Sequence, residues 1–364
     1  MVYYNFQAPN VHLFAFQSSI YLNEEDEKNC LLWNHCDKVF RKLNLSHDAK
    51  TSDIFRLNDY LKIQQDASQS REYLLKNESF ALPFEGQINF NNLCSNINGF
   101  VSPIKIYDSY GLWLNIRRPE QDENGEVPEN PELFKFFNPD NCLLIQENDS
   151  FQDGNPSRFL GQIIVITAKL SEDVITRLQD FNSKKKGEEL KKIADECVKY
   201  FFYTNSVNFN LICNQENLFE SHCFEYKFSD KELNESNIVV WLFEKQETDD
   251  KFKKSCLELL EIFFYRIKIN KAYNDGFKTS KKLEKLLINI ENDIEYLASF
   301  NNKITKMIEL SFFQEKLITL PQYGLAYSKF LFDLDHYENT IAIHKGASIF
   351  GRFTISEIIM TKRE

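Results

Sequence analysis

The chain is poor in the residues that phosphate-gripping loops depend on. Its 364 residues include only 11 Gly, and few glycines leave few places where backbone can approach a ligand closely. One stretch, Gly346-Ala347-Ser348-Ile349-Phe350-Gly351-Arg352, has glycines at the interval of a nucleotide-binding loop. It lacks the Lys-Ser/Thr that would hold phosphate and magnesium, and no strand precedes it, so it reads as a helix break. No G-x-S-x-G run marks a serine nucleophile. None of the eight cysteines forms a C-x-x-C pair, and several sit in apolar runs, where a free thiol behaves as a small hydrophobe. A positive surplus is missing too: the net charge is −11, which repels nucleic-acid phosphate and anionic lipid. No apolar run approaches the ~18 residues of a membrane span, and Met1 to Asn5 lacks the pattern of a signal peptide. The expectation is a cytoplasmic protein with no membrane or nucleic-acid partner.

What is present is apolar and aromatic. Hydrophobic residues make up 43% of the chain and Phe alone accounts for 33 residues, enough for aromatic-rich cores. Strands are expected at 11–16, 112–116, 142–146, 159–170, 208–213, 222–228 and 238–243. The run Ile163-Ile164-Val165-Ile166 is β-branched and apolar on both faces, as a central, doubly covered strand requires. Helices are expected at 30–43, 52–65 and 171–203, the last interrupted near Gly187. Residues 66–100 are ambiguous, and the Asn-rich 89–98 reads as irregular. Three strands in succession between 208 and 243, with no helix between them, disfavour a parallel dinucleotide-binding sheet. The fold class is α+β: a mixed-sheet region over 1–245, with room for two subdomains meeting near 150, and then a long-helix hairpin or bundle over 246–364.

In the helical region, Leu287, Ile290, Ile294, Leu297, Ile304 and Ile308 recur at 3–4 spacing, with Asn301 at the intervening position. Such spacing keeps one stripe facing a partner helix. Leu257, Leu260, Phe264 and Ile267 do the same in the preceding segment. A reversal at Asn274-Asp275-Gly276 predicts an antiparallel hairpin, 251–273 against 278–316, ended by Pro321. The hairpin is expected to bury Leu287, Ile290, Ile294 and Leu297 against Leu257, Leu260, Phe264 and Ile267, while the far end from Ile304 on overhangs and needs cover from the α+β part, from Phe330-Leu331-Phe332 or from a partner chain; Ile294, Leu297, Ile304 and Ile308 are the candidate interaction residues.

The chemical constellations are weak. Cys30, His35, Cys36 and His47 form the one crowded Cys/His set, but Cys30 and Cys36 are six apart and do not share a helix face, and zinc prefers paired short spacings. His222 and Cys223 are neighbours in a strand and point to opposite faces. Asp333, Asp335, His336 and Glu338 make an acidic helical turn. Lys184, Lys185, Lys186, Lys191 and Lys192 alternate with acids as on a solvated helix face. Glu147, Asp149 and Asp153, between two expected strands, are the one carboxylate group with the layout of a palm-like nucleotide-using enzyme. No catalytic residue, cofactor or metal is assigned.

The order of a strand and helix, then Phe159 to Ala168, then Ile238-Val239-Val240-Trp241-Leu242-Phe243, then long helices, resembles bacterial conflict-system proteins of the caspase- and TPR-repeat-associated type. The resemblance covers about 1–320 and rests on layout. It implies a regulatory, adaptor or sensing component of a bacterial defence system, working with a protease-like or TPR-repeat partner. It carries over no catalytic residue. The expected function is thus a non-catalytic interaction module, the alternatives being the palm-like enzyme and a structural coiled-coil oligomer.

Overall fold

In the computed structural model the described residues are 6–19, 30–47, 55–62, 71–76, 79–90, 93–119, 121–122, 125–126, 130–145, 159–202, 212–227, 236–299 and 308–360. They divide into two compact units, 1–263 and 264–364, that meet inside one helix.

The first unit is built on a mixed nine-stranded sheet. Its strands are β1 (Phe6–Ser18), β2 (Arg71–Tyr73), β3 (Leu82–Phe90), β4 (Leu93–Ile106), β5 (Ser109–Arg117), β8 (Phe159–Leu170), β9 (Ile212–Leu218), β10 (Ser221–Lys227) and β11 (Ser236–Phe243). A two-residue pair, β6 (Gln121–Asp122) and β7 (Gly125–Glu126), stands apart. The order is β2-β4-β5-β1-β8-β11-β10-β9, with β3 also on β4. Only β8 and β11 pair in parallel; every other neighbour is antiparallel. The sheet runs unbroken from strands before residue 150 to strands after it.

Period-2 alternation gives each strand two faces. On one face Val11, Leu13 and Ala15 of β1 join Leu112, Leu114, Ile164 and Ile166 in the main core. Helix α1 (Leu31–Lys42) packs there on β1 and β5 through Trp33, Cys36, Val39 and Phe40, and α4 (Ser183–Phe201) packs on β10 and β11. A short helix, α2 (Phe134–Phe137), lies against α4. On the other face His12, Phe14 and Trp113 meet Phe252 of α5 (Gln246–Lys254) and Phe263 from the start of α6 (Cys256–Ser299). Both faces are therefore covered, and all eight residues of β11 are buried.

Several expectations are corrected. The Asn-rich 89–98 is not irregular: β3 and β4 form a hairpin in which Phe90 pairs with Leu93. Pairing of β4 to β5 over 98–106 draws weak β-formers into the sheet, tertiary context overriding propensity. Gly99 permits this, because a Cβ there would stand 1.9 Å from the Asn115 carbonyl oxygen. Residues 143–145 are buried, and Cys142 is half-buried, but they are not a strand. The Gln162 side chain replaces the ladder, accepting from Ile145 N (3.1 Å) and donating to Ile145 O (3.3 Å), so the backbone groups are satisfied without a neighbouring strand. In place of a helix at 52–65, the described part holds a 3-10 turn, Leu57–Tyr60, anchored by the Asp37 carboxylate at Leu57 N (2.8 Å). The helix at 171–203 divides into α3 (Glu172–Gln179) and α4 at Asn182, whose side chain caps Lys185 N (2.9 Å). Gly187 is a buried interior residue of α4 that makes room for Gln215.

The turn at 274–276 does not form. Helix α6 continues through it, and the connection between the long helices falls at 300–307, outside the described residues. Helix α7 (Ile308–Met360) likewise runs on past Pro321 and the glycines after it. Three mediocre helix formers cost less than ending and renucleating a helix.

A buried histidine and a half-buried glutamate at the end of β11 make the first unit acid-sensitive. His12 is held down to a pKa of about 3, chiefly by burial and then by Arg117. Its Nδ1 accepts from Trp113 Nε1 (3.2 Å), which leaves the proton of the neutral ring on Nε2. Burial alone would raise the Glu244 carboxyl, but hydrogen bonds from His222 (2.8 Å) and Lys186 outweigh it and lower the pKa below 4.5. For both groups the unfolded chain binds the proton more tightly, so stability is present above the unfolded pKa and lost as pH falls. His12 acts from 6.5 downward and Glu244 from 4.5 downward. We expect urea denaturation to show about 2 kcal/mol less stability at about pH 5 than at neutral pH. A folded His12→Gln variant should lose most of that difference, and an unchanged pH dependence in that variant would refute the assignment.

Candidate functional site

The second unit has a simple periodicity. Along α6 from 272 onward the buried and half-buried positions include Ala272, Gly276, Thr279, Leu283, Leu286, Ile290 and Asp293; along α7 they include Lys316, Thr319, Tyr323, Ala326, Phe330, Asp333, Tyr337 and Thr340. Both series alternate steps of three and four, the spacing by which one helix keeps a stripe against another. Two contacts set the direction. Lys316 Nζ lies 2.8 Å from the Asp293 carboxylate. The Tyr337 ring lies 3.6 Å from where a Cβ on Gly276 would stand. As residue numbers fall on α6 they rise on α7, so the helices run antiparallel. Tyr337 is pushed above its ordinary pKa by burial and then by Asp275 and Asp333, so its hydroxyl stays protonated.

This seam is one register step away from the stripe expected over 287–308. Ile290 belongs to it, whereas Leu287 (44% exposed) and Ile294 (54%) flank it. Leu297 lies near the end of α6 and Ile308 opens α7, with both side chains outside the described residues; Ile304 lies wholly outside them. Leu257, Leu260, Phe264 and Ile267 sit on the same continuous helix as Leu287, so they do not form the opposing arm.

Twelve large apolar side chains are exposed among the described residues, and only Tyr107 belongs to the first unit. On α7, Ile318 (64%), Leu325 (74%) and Phe332 (73%) repeat at seven-residue intervals, so they form one stripe away from the seam. On α6, Tyr273, Leu287 and Ile294 form another, at intervals of two heptads and one. Single exposed apolar residues are ordinary; aligned rows of them mark contact surfaces. The α7 row was legible in the sequence but crosses Pro321, a residue that normally ends a helix.

The chemical candidates do not assemble. Cys30 Sγ donates to Gln17 Oε1 (3.3 Å), Cys36 is buried in α1, and His47 Nδ1 sits 2.6 Å from the Pro83 carbonyl. Burial pushes the Cys36 and Cys197 thiols well above their usual range, and those of Cys142 and Cys256 to about 12; a protonated thiol is a poor nucleophile. His222 is engaged by Glu244. The 346–352 glycine stretch lies within α7, and Asp335 accepts from Asn339 one turn on (3.2 Å). Of the basic run, Lys186 pairs with Glu244, Lys191 with Asp195 and Lys192 with Glu189. Glu147, Asp149 and Asp153 lie outside the described residues. Among the described residues no group of three His, Cys, Asp or Glu could hold a metal ion, and no helix is long and apolar enough to cross a membrane.

No protein-family model and no curated protein matches the chain.

Gly276 offers a direct check on the seam. A methyl group there meets Tyr337 at ordinary contact distance, and Ala is better than Gly in a helix interior by about 0.8–1 kcal/mol. Gly276→Ala is expected to raise the thermal midpoint, whereas Gly276→Leu, which must displace Tyr337, should lower it. Equal behaviour of the two variants would mean that α7 does not pack at Gly276.

Proposed function

We propose that the chain is a non-catalytic interaction module whose antiparallel helices act as a coiled-coil arm for a protein partner. The observation that carries this reading is the Ile318–Leu325–Phe332 row, three large side chains each more than 60% exposed on one heptad stripe. An exposed row at that spacing suits another amphipathic helix, because the partner's side chains then enter the gaps between successive turns. Ile294 extends the apolar surface on the other helix. The partner class is a protein with a helical face, a TPR-repeat or protease-like protein by the resemblance of the layout, or a second copy. The same resemblance supports a cytoplasmic adaptor or sensor in a bacterial defence system. The inert thiols and the dispersed His and Cys residues favour this reading over an enzymatic one.

The test is charge placed on the row. Leu325→Asp with Phe332→Asp should leave the unfolding free energy within about 1 kcal/mol of the parent, since exposed positions tolerate polar side chains. The same pair should abolish self-association measured by sedimentation at micromolar concentration, or abolish binding to a helical-repeat partner encoded beside the gene. A parent that neither self-associates nor binds such a partner, or a double variant that associates as the parent does, would defeat the proposal.

A further inference from the structure

The second face of the sheet changes character along its length. At one end it is aromatic: Phe14 stacks on Trp113, and Phe252 packs on His12. Toward the C-terminal ends of β5 and β8 it becomes polar and cationic. The strand register aligns Asn98, Arg117, Asn10, Thr167 and Trp241 in one row across β4, β5, β1, β8 and β11. Just beyond this row lies a cavity of about 240 Å³.

Four cations line the cavity, Arg117, Arg118, Lys169 and Lys253, against a single carboxylate, Asp249. Asp249 is already engaged by Lys253 at 2.6 Å. Arg117 spends its Nε on Asn98 Oδ1 (2.7 Å), and among the described residues no carboxylate pairs with either Arg117 or Lys169. In a chain of net charge −11, Arg117 and Lys169, two cations at one cavity without a carboxylate partner among the described residues, are held against the overall balance, and the group they attract most strongly is an anion.

The floor of the cavity adds a second kind of signal. Asn10 Nδ2 donates to the Ala8 carbonyl (3.1 Å), which fixes the amide, while Asn10 Oδ1 is buried with no partner. Its neighbours in the row, Thr167 Oγ1 and Trp241 Nε1, are also buried and unpartnered, on residues only 1% and 2% exposed. Three such atoms in one row are costly. The backbone is irregular at the same place. The β1–β8 register slips between Gln7 and Asn10, and Ala8 adopts φ of 45°, a left-handed conformation rare for alanine. Bulges and strained residues recur at binding sites, where they re-aim side chains.

We propose that this cavity binds a small phosphate ester carrying hydroxyl groups, of about sugar-phosphate size. The phosphate lies between Arg117 and Lys169, where charge-assisted hydrogen bonds form without displacing an internal partner. A ligand hydroxyl donates to Asn10 Oδ1, the acceptor that the chain leaves unpaired. The volume is below that of pockets for drug-sized molecules, which selects a compact ligand. The assignment is independent of the helical arm, because every lining residue belongs to the first unit.

Isothermal titration at low ionic strength tests it, with ribose 5-phosphate as probe and inorganic phosphate and ribose as comparators. Ribose 5-phosphate is expected to bind, phosphate to bind more weakly, and ribose not at all. Arg117→Ala and Lys169→Ala should each weaken ribose 5-phosphate roughly tenfold or more, as loss of a charge-assisted hydrogen bond does. Lys185→Ala, on α4 away from the cavity, should change nothing. Asn10→Leu should weaken ribose 5-phosphate and leave phosphate unaffected. If Asn10→Leu does not fold, the near-isosteric Asn10→Asp should weaken both phosphate ligands by repulsion. The proposal is overturned by absence of binding at about 10 mM of either phosphate ligand, by ribose binding as tightly as its phosphate, or by full affinity in the Arg117 and Lys169 variants. It is overturned equally if a single-stranded oligonucleotide displaces ribose 5-phosphate at far lower concentration, since the cations would then belong to a nucleic-acid surface.

Discussion

Strand β1 is the constraint on which the first unit depends. It is hydrogen-bonded along both edges, to β5 and to β8, and covered on both faces. A strand in that position tolerates neither a register slip nor an unpaired polar group, because a one-residue shift exchanges its two faces. Val11, Leu13 and Ala15 then leave the main core and His12 enters it. The neutral His12 ring fits only its native side, where Trp113 and Asn115 reach its Nδ1. The parallel β8–β11 pair extends the same axis, and the chain between its two strands supplies α3 and α4 and then β9 and β10, which continue the sheet beyond β11.

The second unit follows a different rule. Two antiparallel helices bury one stripe each against the other, and most of the α6 and α7 seam between Leu283 and Tyr337 is half-buried rather than buried. Polar groups sit in that seam: Asp293 with Lys316, and Thr279 beside Tyr337. Such contacts hold register while adding little stability. With so little of its surface buried in the seam, this unit carries eleven of the twelve exposed large apolar side chains among the described residues, and on the proposed reading a partner helix covers them.

The sequence was informative where burial and periodicity agreed. The Ile163-Ile164-Val165-Ile166 run marked a central strand, the α+β class was legible, and α1 and β8 fall within a residue or two of where the pattern puts them. It misled where a side chain did the work of a strand, as Gln162 does for Ile145, or where long-range pairing overrode weak local preference, as in the Asn-rich β3–β4 hairpin. Punctuation residues failed for a related reason. Asn274, Gly276 and Pro321 are turn-formers in isolation, but inside long helices their local cost is outweighed by the turns on either side. The cationic cavity left no local signal at all. Asn10, Arg117, Lys169 and Lys253 are distant in sequence, and only the strand register and the placement of α5 gather them.

The polar row can be weighed against its immediate neighbour. One step along the same face, His12, Asn115 and Trp113 form a satisfied buried cluster, so this sheet is able to pair its interior polar groups. At Asn10, Thr167 and Trp241 it does not, although a hydrophobic side chain at any of the three would remove the cost. The three stand in register beside the β1 bulge, and the row also holds Arg117, which has no carboxylate partner among the described residues. Of the three, Asn10 lines the cavity, and an unpaired acceptor in a cavity wall is tolerable when a ligand completes it, the free energy of doing so appearing as binding rather than as stability. The same arrangement explains the pull of Arg117 on His12: a cation held at the cavity rim helps keep the adjacent buried ring neutral, so His12 stays a hydrogen-bond acceptor for the indole beneath it.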